Sequence, residues 1–469
     1  MDSNQKPSIV MSNHQEHVVI IGNGISGITA ARYIRKLSDK KITIISAETE
    51  HFFSRTALMY VYMGHMRYDD IKPYEDWFWE KNRLDLLFDY VTAVNTQSKT
   101  LNLRKRGQLT YDQLILATGS APNYFGWPGQ DLKAVQGMYS YPDLESMEAY
   151  SKDIKQAVVV GGGLIGIEMA EMFHSRNIPV TLLVREASYW NNVLPPEESE
   201  MINRHIREHH LDLRLNTELK EILGDANGRA RAVITNQGEE IACQFVGLTA
   251  GVHPNIDFIQ QSPHCDVDTQ RGILVNDYLE TTAPDVYAVG DCVQLMNPRE
   301  GRRPIEAIWY TGRMMGETVA HTVCANRTAY VPKLWFNSAK FLDIEYQVYG
   351  TVDAKPQDHH AQLYWEHEDG KHSIRLVFDR DTKAILGFNL MGVRYRHEVC
   401  EKWILEKTSV ETVLQNLGLA NFDPEFFQEY EKEVIDLYNK QYNASVVLKQ
   451  KRSLTAALRF LKNKLTPQS

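Results

Sequence analysis

Four β-branched residues in a row, Val18, Val19, Ile20 and Ile21, run directly into Gly22, Gly24 and Gly27. The apolar run is too short and too branched for a helix and reads as a buried strand. A helical pattern then continues through Leu37. Strand, G-x-G-x-x-G turn and helix open a βαβ unit in which each glycine has its own task. Gly22 permits the tight turn, Gly24 lets the backbone approach a pyrophosphate, and Gly27 brings helix and strand close. Ser26, inside the same loop, is counted with the cofactor-binding residues. The N–H groups and the positive end of the helix complete a phosphate cradle.

The unit recurs 139 positions on, counting from Gly22 to Gly161. Ala157 to Val160 form another short apolar strand, Gly161, Gly163 and Gly166 take the same three positions, and Leu164 and Ile165 open the next helix. Two such turns, each framed by strand and helix, predict two dinucleotide sites.

A length of 469 residues corresponds to about three domains at ~150 residues each. Hydrophobic and charged contents of 43% and 24% are ordinary for a globular chain. The net charge of −9 argues against nucleic acid as the main partner. The charge is uneven, since residues 437–469 hold seven bases and no acid, leaving −16 (−9 − 7) for the rest. Cys243, Cys265, Cys292, Cys324 and Cys400 show no ligand spacing, which fits a reducing compartment and speaks against structural zinc or a disulfide framework. No apolar run reaches the ~18 residues of a membrane span. Residues 1–16 are polar and lack an apolar signal core, so a loose N-terminal tail and a cytoplasmic location are expected.

Residues 41–46 read as the second strand of the first unit. An acid near its end would bind the ribose hydroxyls of the dinucleotide. Glu48 is the nearest, with Ser46 or a backbone group as the alternative. Residues 50–60 read as an amphipathic connection, and the aromatic-rich stretch 74–88 is expected to cover a cleft. Alternation of polar and apolar residues over 89–103 predicts antiparallel strands. A strand over 111–116 ends in Ala117, Thr118 and Gly119.

With these residues in view, the chain resembles the two-dinucleotide-fold flavoproteins, the pyridine nucleotide–disulfide oxidoreductases and their ferredoxin and rubredoxin reductase relatives. In that family the Ala-Thr-Gly strand returns to the flavin. Ala250 and Gly251 form a similar turn closing the second unit, and residues 281–292, ending in Gly290 and Asp291, match the family's last flavin motif. The resemblance covers residues 17 to 325 or so. It implies an α/β fold with two Rossmann-like domains and a C-terminal α+β interface domain. The expected parts are an N-terminal tail (1–16), an FAD domain in two pieces (17–145 and 263–330), an NAD(P) domain between them (146–262), the interface domain (331–436) and a basic tail (437–469). A strand over 372–378, a turn, a partner strand over 384–392 and a helix around Val399 and Trp403 support the interface domain.

The resemblance also implies FAD and a nicotinamide nucleotide as cofactors. Asp291 would accept a hydrogen bond from the flavin's ribityl chain, and Glu168 would approach the nicotinamide. The plainer reading of Glu168 is a helix-surface carboxylate. Val184 stands where the family's NADH users carry an acid, and Arg185 follows it. A guanidinium there suits a 2′-phosphate, so NADPH is expected, with NADH the alternative because Glu186 adjoins. No cysteine lies between residues 40 and 70, and the family's His-Pro…Glu pair is replaced near residues 420–425. Disulfide reduction, which needs a thiol relay, is therefore excluded.

Direct transfer from flavin to an external acceptor remains. Arg55 matches the arginine of the Tyr-Asn/Asp-Arg-Pro-x-Leu segment of ferredoxin and rubredoxin reductases, and Glu306 matches the glutamate of their Arg-x-Glu segment. Trp309 would either stack near the cofactors or serve as interface core. Expected catalytic residues are Glu168, Arg55, Glu306 and Trp309. The expected acceptor is ferredoxin or rubredoxin. A peripheral membrane quinone reductase and an apoptosis-inducing-factor-like signalling flavoprotein are the alternatives, the chain acting as monomer or homodimer. Residues 448–465 carry leucines opposite lysines and arginines and predict a basic amphipathic helix. It either packs on the chain itself or docks on anionic lipid at the inner membrane face or on an acidic carrier.

Overall fold

A computed structural model of the protein describes residues 15–422 and 428–449. They divide into two compact units, one comprising the chain up to Arg185 together with Asn216–Lys333, the other Glu186–Leu215 together with the chain from Leu334.

The first unit holds two parallel sheets. In one, the strands Val286–Ala288, Gln113–Leu116, His17–Ile21, Lys41–Ser46 and Asp85–Phe88 lie side by side in that order. Ile20 sits opposite both Ile44 and Ile115. The three central strands are buried along nearly their whole length, which is why they read as continuous apolar runs. The helix Ile25–Leu37 follows the first glycine turn and packs on the helix Trp309–Val323, where a Cβ at Gly312 or Gly316 would strike Ser26. Val286–Ala288 pairs with Leu114–Leu116, so this sheet is completed only after the chain has built the second one. Between them, Val91–Asn95 and Thr100–Leu103 form the antiparallel strands that the alternation predicted, and Gly107–Thr110 adds a third.

The second parallel sheet places Ala157–Val160 between Val180–Leu183 and Phe245–Leu248, with Val135–Gln136 at the edge. The helix Leu164–Ser175 buries Ile167, Met169, Ala170 and Phe173, and Phe173 meets Phe245 edge-on with ring centroids 5.0 Å apart. A small antiparallel sheet, Leu219–Gly224, Ala230–Thr235 and Glu240–Ala242, completes this core.

The second unit is built on a five-stranded antiparallel sheet in the order Phe336–Phe341, Ile344–Gly350, Ile385–Met391, Ser373–Asp379 and His360–Glu366. The predicted hairpin is Ser373–Asp379 with Ile385–Met391, and the helix His397–Leu405 follows. Two features differ from the sequence-based segmentation. The helix Pro196–Glu208, inside the stretch expected to be the nicotinamide domain, belongs to this unit: Glu198, with no exposed surface, holds the buried Arg375 at 2.7 Å. The helix Glu431–Tyr442 runs through position 437, where the basic tail was set to begin, because Val434, Ile435 and Tyr438 continue one buried face. The loss of acidic residues there marks a change of charge and not the end of an element. The amphipathic stretch 450–465 lies outside the described residues, as do residues 1–14 and 423–427. Among the described residues, no helix is long and apolar enough to cross a membrane.

Candidate functional site

The two glycine turns have the same construction. Gly22 has φ +112° and Gly161 φ +128°, backbone that L-residues rarely adopt. A Cβ at Gly22 would fall on the carbonyl of Ala117, and one at Gly161 on that of Thr249. Gly27 and Gly166 in turn approach the carbonyls of Gly22 and Gly161. These contacts hold each helix against its strand. The middle glycines are different. Around a Cβ on Gly24 or Gly163 there is nothing within 4 Å, so their small size serves something outside the protein's own packing. No side chain caps the helix that starts after Gly24, which leaves its first N–H groups to an anion.

A cavity of about 700 Å³ opens from the first turn. Gly22, Gly24 and Ser26 line it together with Leu164, Ile165 and Glu168, as do Ala117, Thr118, Gly119, Asp291 and Trp309, the last 38% exposed. Arg55 grips Glu48 with both guanidinium nitrogens, at 2.9 and 2.6 Å, and lies 4.6 Å above the Tyr139 ring. Glu48 also accepts the N–H of Tyr141 at 2.8 Å. The Tyr139 hydroxyl accepts the N–H of Ser120 at 2.9 Å, and the Ser120 hydroxyl donates to Asp291 Oδ2 at 3.3 Å. Burial raises the Asp291 carboxyl above its ordinary range against the opposing pull of Ser120 and Arg55. Glu168 is half-buried, and desolvation aided by the nearby Glu171 pushes its carboxyl up to about 7. The site therefore contains a carboxyl that exchanges its proton near neutral pH.

Residues 16–322 match the sequence model of the pyridine nucleotide-disulphide oxidoreductase family. The chain belongs to that family. It is 31% identical over 284 residues to a nitrite reductase [NAD(P)H] of Bacillus subtilis (strain 168), covering 60% of this chain and 34% of that one. It thus spans about a third of that relative's length. It is 30% identical over 288 residues to a rubredoxin-NAD(+) reductase of Acinetobacter baylyi, covering 59% of this chain and 72% of the relative. Among solved structures, a NAD-dependent persulfide reductase from A. fulgidus superposes with a TM-score of 0.79 at 20% identity, covering 93% of this chain and 86% of that one, a likeness of fold.

The family implies FAD and a nicotinamide nucleotide, and the residues present fit the first of these closely. The open cradle at Gly24, the uncapped helix and the half-buried Asp291 suit a pyrophosphate and a polyhydroxyl chain in one cavity. In this family member, other expected residues stand apart from the cavity. Gly161, Gly163 and Gly166 form the second turn, and Arg185 is exposed just beyond the strand Val180–Leu183. Gly27 and Gly290 pack behind the wall, Gly290 against Ser26. Ala250 and Gly251 join the turn after Ala117 to the second unit of sequence: Asn123 donates to Gly251 O at 3.1 Å, and Asn255 donates to Gly119 O at 2.9 Å. Glu306 is buried in a two-pronged pair with Arg302, both contacts 2.6 Å, and Ala307 replaces it in the cavity wall.

No cysteine lines the cavity. Cys292 follows Asp291 in sequence, but its sulfur faces the carbonyls of Leu116 and Val289 at 3.6 and 3.4 Å. Sequence reasoning overlooked Tyr139, Met138 and Met172, which also line the cavity. None sits at a motif position.

Proposed function

We propose that the chain is an FAD-dependent NAD(P)H oxidoreductase that delivers electrons to an external one-electron carrier of the ferredoxin or rubredoxin kind. The observation that carries this reading is one cavity lined by both Gly24 and Glu168, which lets two cofactors meet with no thiol between them. FAD supplies the conversion between hydride transfer and single-electron steps. Gly22, Gly24 and Ser26 would hold its pyrophosphate, and Asp291 its ribityl hydroxyls. Glu48, locked by Arg55 and the Tyr141 N–H, would orient the ribose. Arg55 and Tyr139 would form a rigid cationic and aromatic wall, and Trp309 would shield the cavity. Glu168, at a carboxyl of about 7, would hold a proton beside the nicotinamide. Arg185 is proposed to grip a 2′-phosphate, which makes NADPH the donor. The relative from Acinetobacter named for rubredoxin supports a carrier acceptor.

The test is anaerobic reduction by NADPH and by NADH, followed by stopped-flow reoxidation with ferredoxin, rubredoxin and a quinone. Fast reoxidation by a carrier protein and slow reoxidation by quinone are expected. Preferred quinone reoxidation would replace the carrier reading, and negligible turnover with every acceptor would point to a signalling flavoprotein.

A further inference from the structure

In the second unit, the helix Pro196–Glu208 carries His205 in its last turn, and His209 caps the helix four residues on. That spacing stacks both rings on one side of the helix axis, with centroids 4.4 Å apart. Asp343, in the turn between the strands Phe336–Phe341 and Ile344–Gly350, points its carboxylate at both. The three ligand atoms all lie within 4.8 Å of one another. We propose that His205, His209 and Asp343 bind a divalent transition-metal ion, with Zn²⁺ the best chemical match.

The hydrogen bonds of the two rings carry the argument. His209 Nδ1 lies 3.0 Å from the carbonyl of His205. A carbonyl only accepts, so Nδ1 bears the hydrogen and, in the neutral ring, Nε2 bears a lone pair. That lone pair faces Asp343 Oδ1 at 3.3 Å, and a carboxylate oxygen is also an acceptor. A positive centre between them, either a proton on Nε2 or a metal ion, satisfies both. A tetrahedral ion with bonds of about 2.0–2.1 Å spaces its ligands by about 3.3 Å, the bond length times roughly 1.6; His209 and Asp343 stand at that spacing, and His205 Nε2, which lies closer to Oδ1, would draw back to admit the ion.

His205 supplies the second strand of the argument. Its Nε2 also meets Asp343 Oδ1, while its Nδ1 is buried without a hydrogen-bond partner. Glu208 places a carboxylate oxygen 3.6 Å from that Nδ1. Metal on Nε2 would fix the hydrogen on Nδ1 and aim it at Glu208, the carboxylate–histidine–metal arrangement that orients ligating imidazoles. Lys371 occupies the other carboxylate oxygen, Asp343 Oδ2, at 3.1 Å, which leaves Oδ1 to the histidines. Two imidazoles and one carboxylate with a place for water suit Zn²⁺ over the hard cations, which prefer oxygen ligands alone. Binding would require His205 Nε2 and Asp343 to be free of protons, so it would strengthen as pH rises. A neighbouring trio, His367, Asp369 and His372, differs in burial, since both of its rings are part-exposed where His205 is buried; there the Asp369 N–H donates to His367 Nδ1 at 3.3 Å, and Asp369 Oδ2 lies 3.1 Å from His367 Nδ1 and 2.7 Å from His372 Nδ1.

The test uses the full chain, stripped with chelator and dialysed against micromolar ZnCl₂, with zinc and protein measured by mass spectrometry. One tightly held zinc per chain is expected, together with a zinc-dependent rise in melting temperature. His209→Ala and Asp343→Asn alter accessible positions and should fold. Each should weaken zinc by more than the roughly 10–100-fold typical of an outer-shell partner and abolish the melting shift. His372→Ala should leave both unchanged. Absence of stoichiometric zinc, or zinc retained equally by His209→Ala and Asp343→Asn, would overturn the assignment.

Discussion

The contrast between Gly22 and Gly24 gives the sharpest check on the proposed cofactor cradle. Two alanine substitutions, two residues apart, should have opposite consequences. Gly24 has φ −70° and ψ 179°, which alanine adopts freely, and its Cβ would meet nothing. In the flavin-free protein Gly24→Ala should therefore be neutral or stabilising by about 0.4–1 kcal/mol, through the lower entropy of the unfolded chain. Gly22→Ala must hold φ near +112° and displace the Ala117 carbonyl. The backbone strain alone costs about 1–3 kcal/mol, and the collision adds to it, so a loss above roughly 2 kcal/mol and a fall in Tm of roughly 4–8 °C are expected. FAD affinity reverses the order of interest. A methyl group at Gly24 would stand where the backbone should meet the pyrophosphate, removing a charge-assisted contact of about 1.5–3 kcal/mol, roughly 10- to 150-fold in Kd. Calorimetry on deflavinated protein and titration of FAD by fluorescence measure the two effects separately. Equal destabilisation by both substitutions would refute the geometry. Unchanged FAD affinity in Gly24→Ala would refute the cradle.

Arg185→Glu should shift preference from NADPH towards NADH, since one phosphate contact is worth about 1.5–3 kcal/mol, and steady-state kinetics with both donors would show it; a wild type that already prefers NADH removes Arg185 from this role. Glu168 is neutral below about 7 and charged above it, so the folded state binds a proton that the unfolded state releases near 4.5. Its contribution to stability falls as pH rises between those values, and the Tm of Glu168→Gln relative to wild type should climb from pH 5 to pH 8 or so; a constant difference would show that Glu168 titrates normally. Thiol alkylation should leave flavin reduction nearly unchanged, because Cys243, Cys292 and Cys400 are buried with thiols raised by burial, Cys243 to about 12, and strong inactivation of unaggregated protein would contradict this. Arg375→Met should cost about 3–5 kcal/mol by stranding the buried Glu198 carboxylate, read as a large drop in denaturant midpoint.

Both glycine turns were legible in the sequence because their requirements are local: a positive φ or a close approach admits glycine alone, whatever the rest of the chain does. The flanking strands and the hairpin of Ser373–Asp379 with Ile385–Met391 were legible for a similar reason, since alternation and apolar runs record which faces are buried. The His205–His209 spacing was also on the page. What the sequence could not show was any pairing through space. That Glu168 shares a cavity with Gly24 and Asp291, and that the local pair of Arg55 and Glu48 is fixed against Tyr139 and Tyr141, follow from contacts between distant segments. The same holds for Glu198, whose helix joins the unit of Arg375, and for Asp343, which meets the two histidines across more than a hundred residues of chain. Desolvation, which lifts Glu168 and Asp291 from their ordinary ranges, exists only once those segments have closed over them, because it depends on the volume of protein around a charge and not on its neighbours in sequence.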